Sequence, residues 1–382
     1  MNQSDLTFTR YLYVKEEVEL TLLVSILNKS DDAIFWAYEL YYSGFKHELF
    51  VLILRIYYDF FATLNHTFEA YLLKKYKEFC TEDYTNARIV SSIIQDLLFR
   101  PFNIDVFLLK NICSAFEIEC QYYENAEQIT DTQSCQKNLK QWIDTNDYRS
   151  LGEWILNGNK DIIDINNIYS QCLDIFELTN PKLVKEFATS IKFAKNMKTI
   201  DKNIVLLSKI MCLFSKKHNL KKGKSIYINV EAEDIIPYET LYNVKHYRIL
   251  ENACICGIND FKHLSLFKLK RNKYNLQERY WYKWLYYASF SPLWLERISC
   301  FKGKIDYTNK NVIFDDEDLM EKFYELHGLE PDEQKQCVQN KSIVTIEKIH
   351  DWVWFYNTYK KNGLLEVWKE ELEEFDIDGI TY

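Results

Sequence analysis

One stretch, residues 31–64 (DDAIFWAYELYYSGFKHELFVLILRIYYDFFATL), constrains the fold of this 382-residue chain more than any other. Two strongly apolar segments meet at Ser43-Gly44, and both are rich in aromatic side chains. Ile34, Ala37, Tyr38 and Tyr41 recur at three- and four-residue steps, with Phe35, Trp36 and Leu40 widening the stripe, which is the periodicity of a helix. Asp31 and Asp32 are placed to cap it, because a short carboxylate accepts the free amides of a first turn. Gly44 supplies the positive φ at which a helix stops, so a second helix is predicted from about Phe45. Such a hairpin is too apolar to stand alone. The rest of the chain has to cover it.

The rest looks helical too. Only 9 Gly and 5 Pro interrupt the chain, which favours long helices joined by short connections. Helices are predicted over 11–28, 60–79, 85–99, 164–178, 181–200 and 204–214, with Asn180-Pro181 supplying an N-cap and an N1 proline. Residues 106–116 are too short for periodicity to choose between helix and strand. Residues 119–147 read as a polar surface excursion anchored by Trp142 and Trp154. Beyond Gly223 the texture changes. Residues 225–230 (SIYINV) and 263–271 (HLSLFKLKR) alternate like strands, and 304–314 (KIDYTNKNVIF) reads as a β-hairpin. Helices are expected at 277–288, 292–300, 319–327 (capped by residues 315–317, stopped by Gly328), 344–359 and 364–374. The predicted class is mainly α: a helical domain over 1–220 built on the hairpin, and a smaller α+β domain over 221–382.

No run of about 18 apolar residues occurs; the best, 49–64, is broken by Arg55 and Asp59, so no membrane association is expected. Glu16, Glu17 and Glu19 stand before the first apolar run with no basic region ahead of it, unlike a secretory signal. Ten cysteines at irregular spacing read as reduced thiols. The chain is therefore expected inside the cell.

The hairpin resembles the helix pair of clamp-loader collar domains, in which an acid-capped, aromatic-bearing helix leads through a glycine turn into a second apolar helix. Residues 288–298 (ASFSPLWLERI), the hairpin KGKIDYTNKNVIF and the loop YELHGLEPDEQ resemble uncharacterised proteins of nucleocytoplasmic large DNA viruses. That second resemblance implies a virus-encoded protein acting in the cytoplasm or nucleus of an infected cell. It transfers no catalytic residue.

Enzymatic signals are incomplete. Gly223-Lys224-Ser225 has His218 where a phosphate-binding loop carries its first glycine, and the following residues look extended rather than helical. Residues 312–317 (VIFDDE) match a metal-holding strand end, or equally a hairpin strand followed by a helix cap. Cys254 and Cys256, with His246 and His263 nearby, are too closely spaced for a zinc pair and suit one face of a buried strand. No nucleophile elbow occurs, and seven dispersed histidines select no general base. No catalytic residue, metal or cofactor is expected.

Charge is more informative. The formal net charge is −9, yet residues 182–224 hold twelve lysines against Glu186 and Asp201. Lys216, Lys217, Lys221, Lys222 and Lys224 crowd a predicted loop, and Lys268, Lys270, Arg271 and Lys273 crowd a predicted strand end. Tyr274, Tyr280, Trp281 and Trp284 follow closely. Cations neutralise phosphates and exposed aromatics stack on unpaired bases, although tryptophans of this density also build cores. The leading expectation is a non-enzymatic binding or scaffold protein with a protein partner, the hairpin giving both core and a contact surface. An accessory factor that contacts nucleic acid through the basic segments is the alternative. A nucleotide-binding enzyme comes third, and an acidic tail of a second copy could also meet the lysines.

Overall fold

Three helices, α1 (Lys15–Leu27), α2 (Asp32–Tyr42) and α3 (Lys46–Ile56), open the fold in a computed structural model that describes residues 6–116, 132–157, 164–178, 180–239, 275, 277–327, 335–343 and 352–368. The predicted hairpin is α2 and α3, and Gly44 turns between them at φ +94°. Glycine is needed there twice over. A Cβ would sit 2.6 Å from Pro292 Cβ, so the turn is also where a distant segment closes onto the hairpin. The cap differs from expectation. Asp31 makes no capping bond; instead Ser30 Oγ accepts the Asp32 amide at 3.3 Å.

Both helices of the hairpin are buried on nearly every side: Trp36, Tyr38, Leu40, Phe50, Ile53 and Leu54 all lie in the core. A helix apolar all round belongs inside. Each such side chain contributes roughly 1.5–3 kcal/mol by leaving water. The expected partner-facing surface on the hairpin is thereby corrected: it is core. α3 loosens into a π-turn over Tyr57–Phe61, with Ala62 N bonded to Tyr57 O at 2.8 Å. Asp59, one of the two charges that break the apolar run, is buried there and paired with Lys110.

Around this centre stand α4 (Phe68–Thr81), α5 (Ala87–Phe99), α6 (Asp105–Phe116), α7 (Thr132–Thr145), α8 (Tyr148–Asn157), α9 (Ile165–Ile175), α10 (Pro181–Met197) and α11 (Lys202–Lys217). The ambiguous run at 106–116 is helix. Asp164, Asn180 and Asp201 each accept an amide two residues on; the Asn180 cap is the one expected from sequence, and α11 starts two residues earlier than predicted, after Asp201. The polar excursion is corrected in its second half, because α7 forms there; Trp142 and Trp154 lie against each other with centroids 5.9 Å apart.

The later elements are α12 (Ile236–Glu239), a second π-turn (Glu278–Tyr282), α13 (Trp284–Ala288), α14 (Pro292–Cys300), the hairpin β1 (Gly303–Asp306) and β2 (Asn311–Phe314), α15 (Glu317–His327), α16 (Gln336–Ser342) and α17 (Trp352–Tyr359). β1 and β2 are antiparallel, with Ile305 opposite Val312; Val312 is buried and Ile313 exposed, the alternation of a one-faced sheet. The class is mainly helical, with a two-stranded antiparallel sheet in the C-terminal region among the described residues. Two predicted elements are absent. Among the described residues, 225–230 pair with no strand, and 364–368 are an irregular strap rather than the start of a helix. The strand candidate 263–271, Gly328 and residues beyond 368 lie outside the described residues.

Segments on either side of the expected boundary between 220 and 221 interlock. Leu293 N donates to Ser43 O at 3.2 Å, Trp294 Nε1 to Thr9 O at 3.2 Å, and Phe8 packs on Tyr280 with centroids 4.7 Å apart. Arg10, paired with Glu39 at 2.9 Å, also donates to Tyr238 O at 2.9 Å. The strap is held by Asp105, which accepts the Leu364 and Leu365 amides at 3.0 and 3.2 Å. Burial, partly offset by those two amides, pushes the Asp105 carboxyl up to about 6.

A candidate polyanion-binding edge

α11 ends in a sharp stop. Leu220 N bonds back to Ser215 O at 2.9 Å and Asn219 takes the left-handed conformation at φ +54°, a role that asparagine tolerates better than most residues. From Leu220 to Val230 the chain has no helix, strand, turn or bend. It is nonetheless fastened to the body.

Three ties do this. Gly223 N donates to Leu64 O at 3.1 Å; Arg100 Nη2 donates to Ile226 O at 2.7 Å; Asp96 Oδ1 accepts Ile228 N at 3.0 Å. Gly223 lies so close to Asn65 that a Cβ would come within 1.9 Å of its Oδ1. Asn65 is itself fixed by donating to Phe61 O at 2.9 Å and Pro101 O at 2.7 Å. Asp96 and Arg100 form a buried pair at 3.3 Å. Burial, opposed by the Ile228 amide and by Arg100, raises the Asp96 carboxyl above its ordinary range.

With the backbone tied at 223, 226 and 228, the side chains of Lys221, Lys222, Lys224 and Ile226 are left in solvent. Lys216, half-buried, lies at the end of α11 and lines a small cavity of about 10 Å³ with His66, Tyr169, Glu186, Lys209 and Cys212. Burial and then the charges of Lys216, Lys222 and Lys209 push His66 down to about 4, so its ring is neutral at pH 7. Lys209 is neutralised by Glu69, which also accepts from Tyr58 at 2.8 Å. Among the described residues Lys216, Lys221, Lys222 and Lys224 have no ion-pair partner. Lys217 differs: its ammonium donates to Ile143 O at 2.9 Å and Asn146 Oδ1 at 3.2 Å, capping the end of α7.

Aromatic rings adjoin the lysines, but not the ones expected. Tyr280 is 1% exposed and Trp284 4%, and Trp284 packs on Trp294 at 5.5 Å. Neither offers a face to a base, so both are corrected to core residues; the π-turn at 278–282 and α13 rotate them inward. Trp281 is half-buried. Tyr274, Lys268, Lys270, Arg271 and Lys273 lie outside the described residues. Sequence reasoning missed Tyr227, which is 43% exposed. Its ring lies 4.5 Å from that of Tyr71 and is stacked 6.2 Å from Phe68, with the Arg100 guanidinium 3.9 Å over Phe68 and 5.3 Å over Tyr227. The available signal was an aromatic three residues after a lysine run.

The nucleotide-loop pattern has none of its structural context. The Gly223 amide is taken by Leu64, and no helix follows Ser225 to direct an N-terminus at a phosphate. The acids after β2 have local roles: Asp315 pairs with Lys304, and Asp316 accepts the Asp318 amide at 3.0 Å to start α15. Cys254, Cys256, His246 and His263 lie outside the described residues, among which no group of three His, Cys, Asp or Glu side chains could hold a metal ion. No helix among them is long and apolar enough to cross a membrane. Comparison with protein-family models, with curated proteins and with solved structures finds no match to the chain.

Proposed function

We propose that the chain works by binding, and that residues 216–230 are its contact edge for a polyanion, nucleic acid being the partner class. The supporting observation is the exposure of Lys221, Lys222 and Lys224 along a segment tied at 223, 226 and 228, with half-buried Lys216 at the adjoining end of α11, all four without carboxylate partners among the described residues. Lysines on a loose loop lose conformational entropy when they engage a ligand, and fastening the backbone beforehand reduces that cost. In a chain of net charge −9 this is a local exception to the overall field, and approach through the edge is favoured over approach elsewhere. The resemblance of residues 286–334 to proteins of large DNA viruses directs the reading toward viral replication or gene expression in an infected cell.

The test is binding to heparin and to oligonucleotides at rising salt. Each phosphate contact adds roughly 0.7–0.9 to the slope of log affinity against log salt, so four lysines predict a slope near −3. Reversing Lys216, Lys221, Lys222 and Lys224 to glutamate should abolish binding; unchanged binding would refute the proposal. A protein partner is the second reading, favoured by Tyr307 and Ile313 of the β-hairpin and Leu326 of α15, large apolar side chains left exposed. Sedimentation of Ile313→Asp and Leu326→Asp variants against the parent chain would reveal self-association through that region.

A further inference from the structure

We propose that the occupant of this edge is single-stranded nucleic acid, one base of which stacks on the outer face of Tyr227; this rests on the polyanion reading above. Tyr227 has its inner side against Tyr71 and Phe68, yet 43% of the residue stays exposed. A ring with aromatic neighbours and this much exposed surface can serve as a platform. Ile226 beside it is also exposed, offering apolar surface at the same place.

The platform is held in position. Backbone ties at Ile226 O and Ile228 N flank Tyr227, and the Arg100 guanidinium that makes the first of them also lies over the Phe68 and Tyr227 rings. A base arriving on the outer face extends an existing stack without first ordering the side chain.

Reach and charge fit the same ligand. Lys221 to Tyr227 is six residues of open chain, at most about 20 Å. At about 3.4 Å per nucleotide that is the length of roughly six stacked nucleotides. Cations along the backbone track and an aromatic at its end are the two components by which proteins hold single strands. A duplex keeps its base faces inside and gives Tyr227 nothing to stack on, so it would engage the lysines alone.

The experiment uses the full chain and fluorescence anisotropy with labelled oligo(dT), oligo(U), a duplex of equal length, and heparin as competitor. Single strands should bind more tightly than the duplex at equal salt. Tyr227→Ala should weaken single-strand binding roughly tenfold, the scale of one lost base stack, while heparin affinity and the salt slope stay unchanged. Tyr227→Trp should retain or strengthen it. Retained heparin binding also certifies that the variant is folded. Equal affinity for single and double strands, or a Tyr227→Ala variant that binds oligo(dT) and oligo(U) as well as the parent, would overturn the inference and leave the polyanion reading standing. Failure of heparin and every oligonucleotide to bind would remove both.

Discussion

Asp105 and Leu364, 259 positions apart in sequence, are joined by hydrogen bonds of 3.1 and 3.0 Å from the Leu364 amide to the two oxygens of a fully buried carboxylate. The first turn of α6 thus holds the strap that follows α17, and it does so with a group that titrates in a mildly acidic range.

The sign of its pH dependence follows. Burial raises the folded-state value to about 6 from an ordinary 3.8, so between those limits the folded chain keeps a proton that the unfolded chain has released. This group therefore makes stability fall as pH rises from about 4 to about 6, by on the order of 3 kcal/mol, and adds no slope above that. Asp105→Asn should show a smaller decline over this window than the parent, measured as urea midpoints at pH 4, 5, 6 and 7. Parallel curves would show that Asp105 titrates normally.

His66 titrates in the opposite sense and reports on the edge. Held near 4 by burial and by Lys216, Lys222 and Lys209, it is uncharged at neutral pH. Phosphates bound to those lysines would cancel their repulsion and raise its pKa. By linkage, polyanion affinity should then increase as pH falls from about 6 toward 4. NMR titration of the His66 ring with and without heparin measures both; an unmoved His66 would place the bound anion away from Lys216 and Lys222.

Gly223→Ala forces a methyl onto Asn65 Oδ1. Overpacking of this kind costs about 1–3 kcal/mol, and relieving it means lifting the segment off Leu64. The variant should melt lower and bind heparin more weakly, although no charge has changed. Calorimetry together with the anisotropy assay checks the pair; full affinity in a destabilised variant would show that the tether does not position the lysines.

Arg100→Ala should be the most damaging single change near the edge. It removes the tie to Ile226 O and leaves Asp96 buried without its ion pair, a loss on the order of 3–5 kcal/mol. Equilibrium urea denaturation measures it, and a loss below about 1 kcal/mol would mean that Asp96 simply takes up a proton.

What could be read in advance was what is local. Gly44, Asn180-Pro181, Asp316 and the hairpin at 303–314 act through neighbours within a few positions, and turn, cap and alternation patterns record such relations directly. Residues 225–230 show the limit: alternation licensed a strand, but a strand needs a partner, and Arg100 and Asp96 took the backbone groups instead. Tyr280, Trp284 and Tyr227 carry the same chemical signature in sequence. Only burial separates the two core rings from the exposed one. Of the five lysines expected at the first basic segment, Lys221, Lys222 and Lys224 are exposed and Lys216 is half-buried; Lys217 is exposed too, but its ammonium is engaged by the end of α7, 71 residues upstream.

The closure of Gly44 against Pro292, and of Thr9 against Trp294, has a consequence for biosynthesis. A ribosome delivers α1 to α3 early, when the surfaces that will shield them have not yet been translated. Contacts of such large sequence separation form slowly, and the nascent hairpin must wait with its greasiest faces uncovered. Expression of the chain should accordingly depend on holdase chaperones more than its finished surface implies, and shortening it from the far end should yield aggregates rather than a smaller soluble protein.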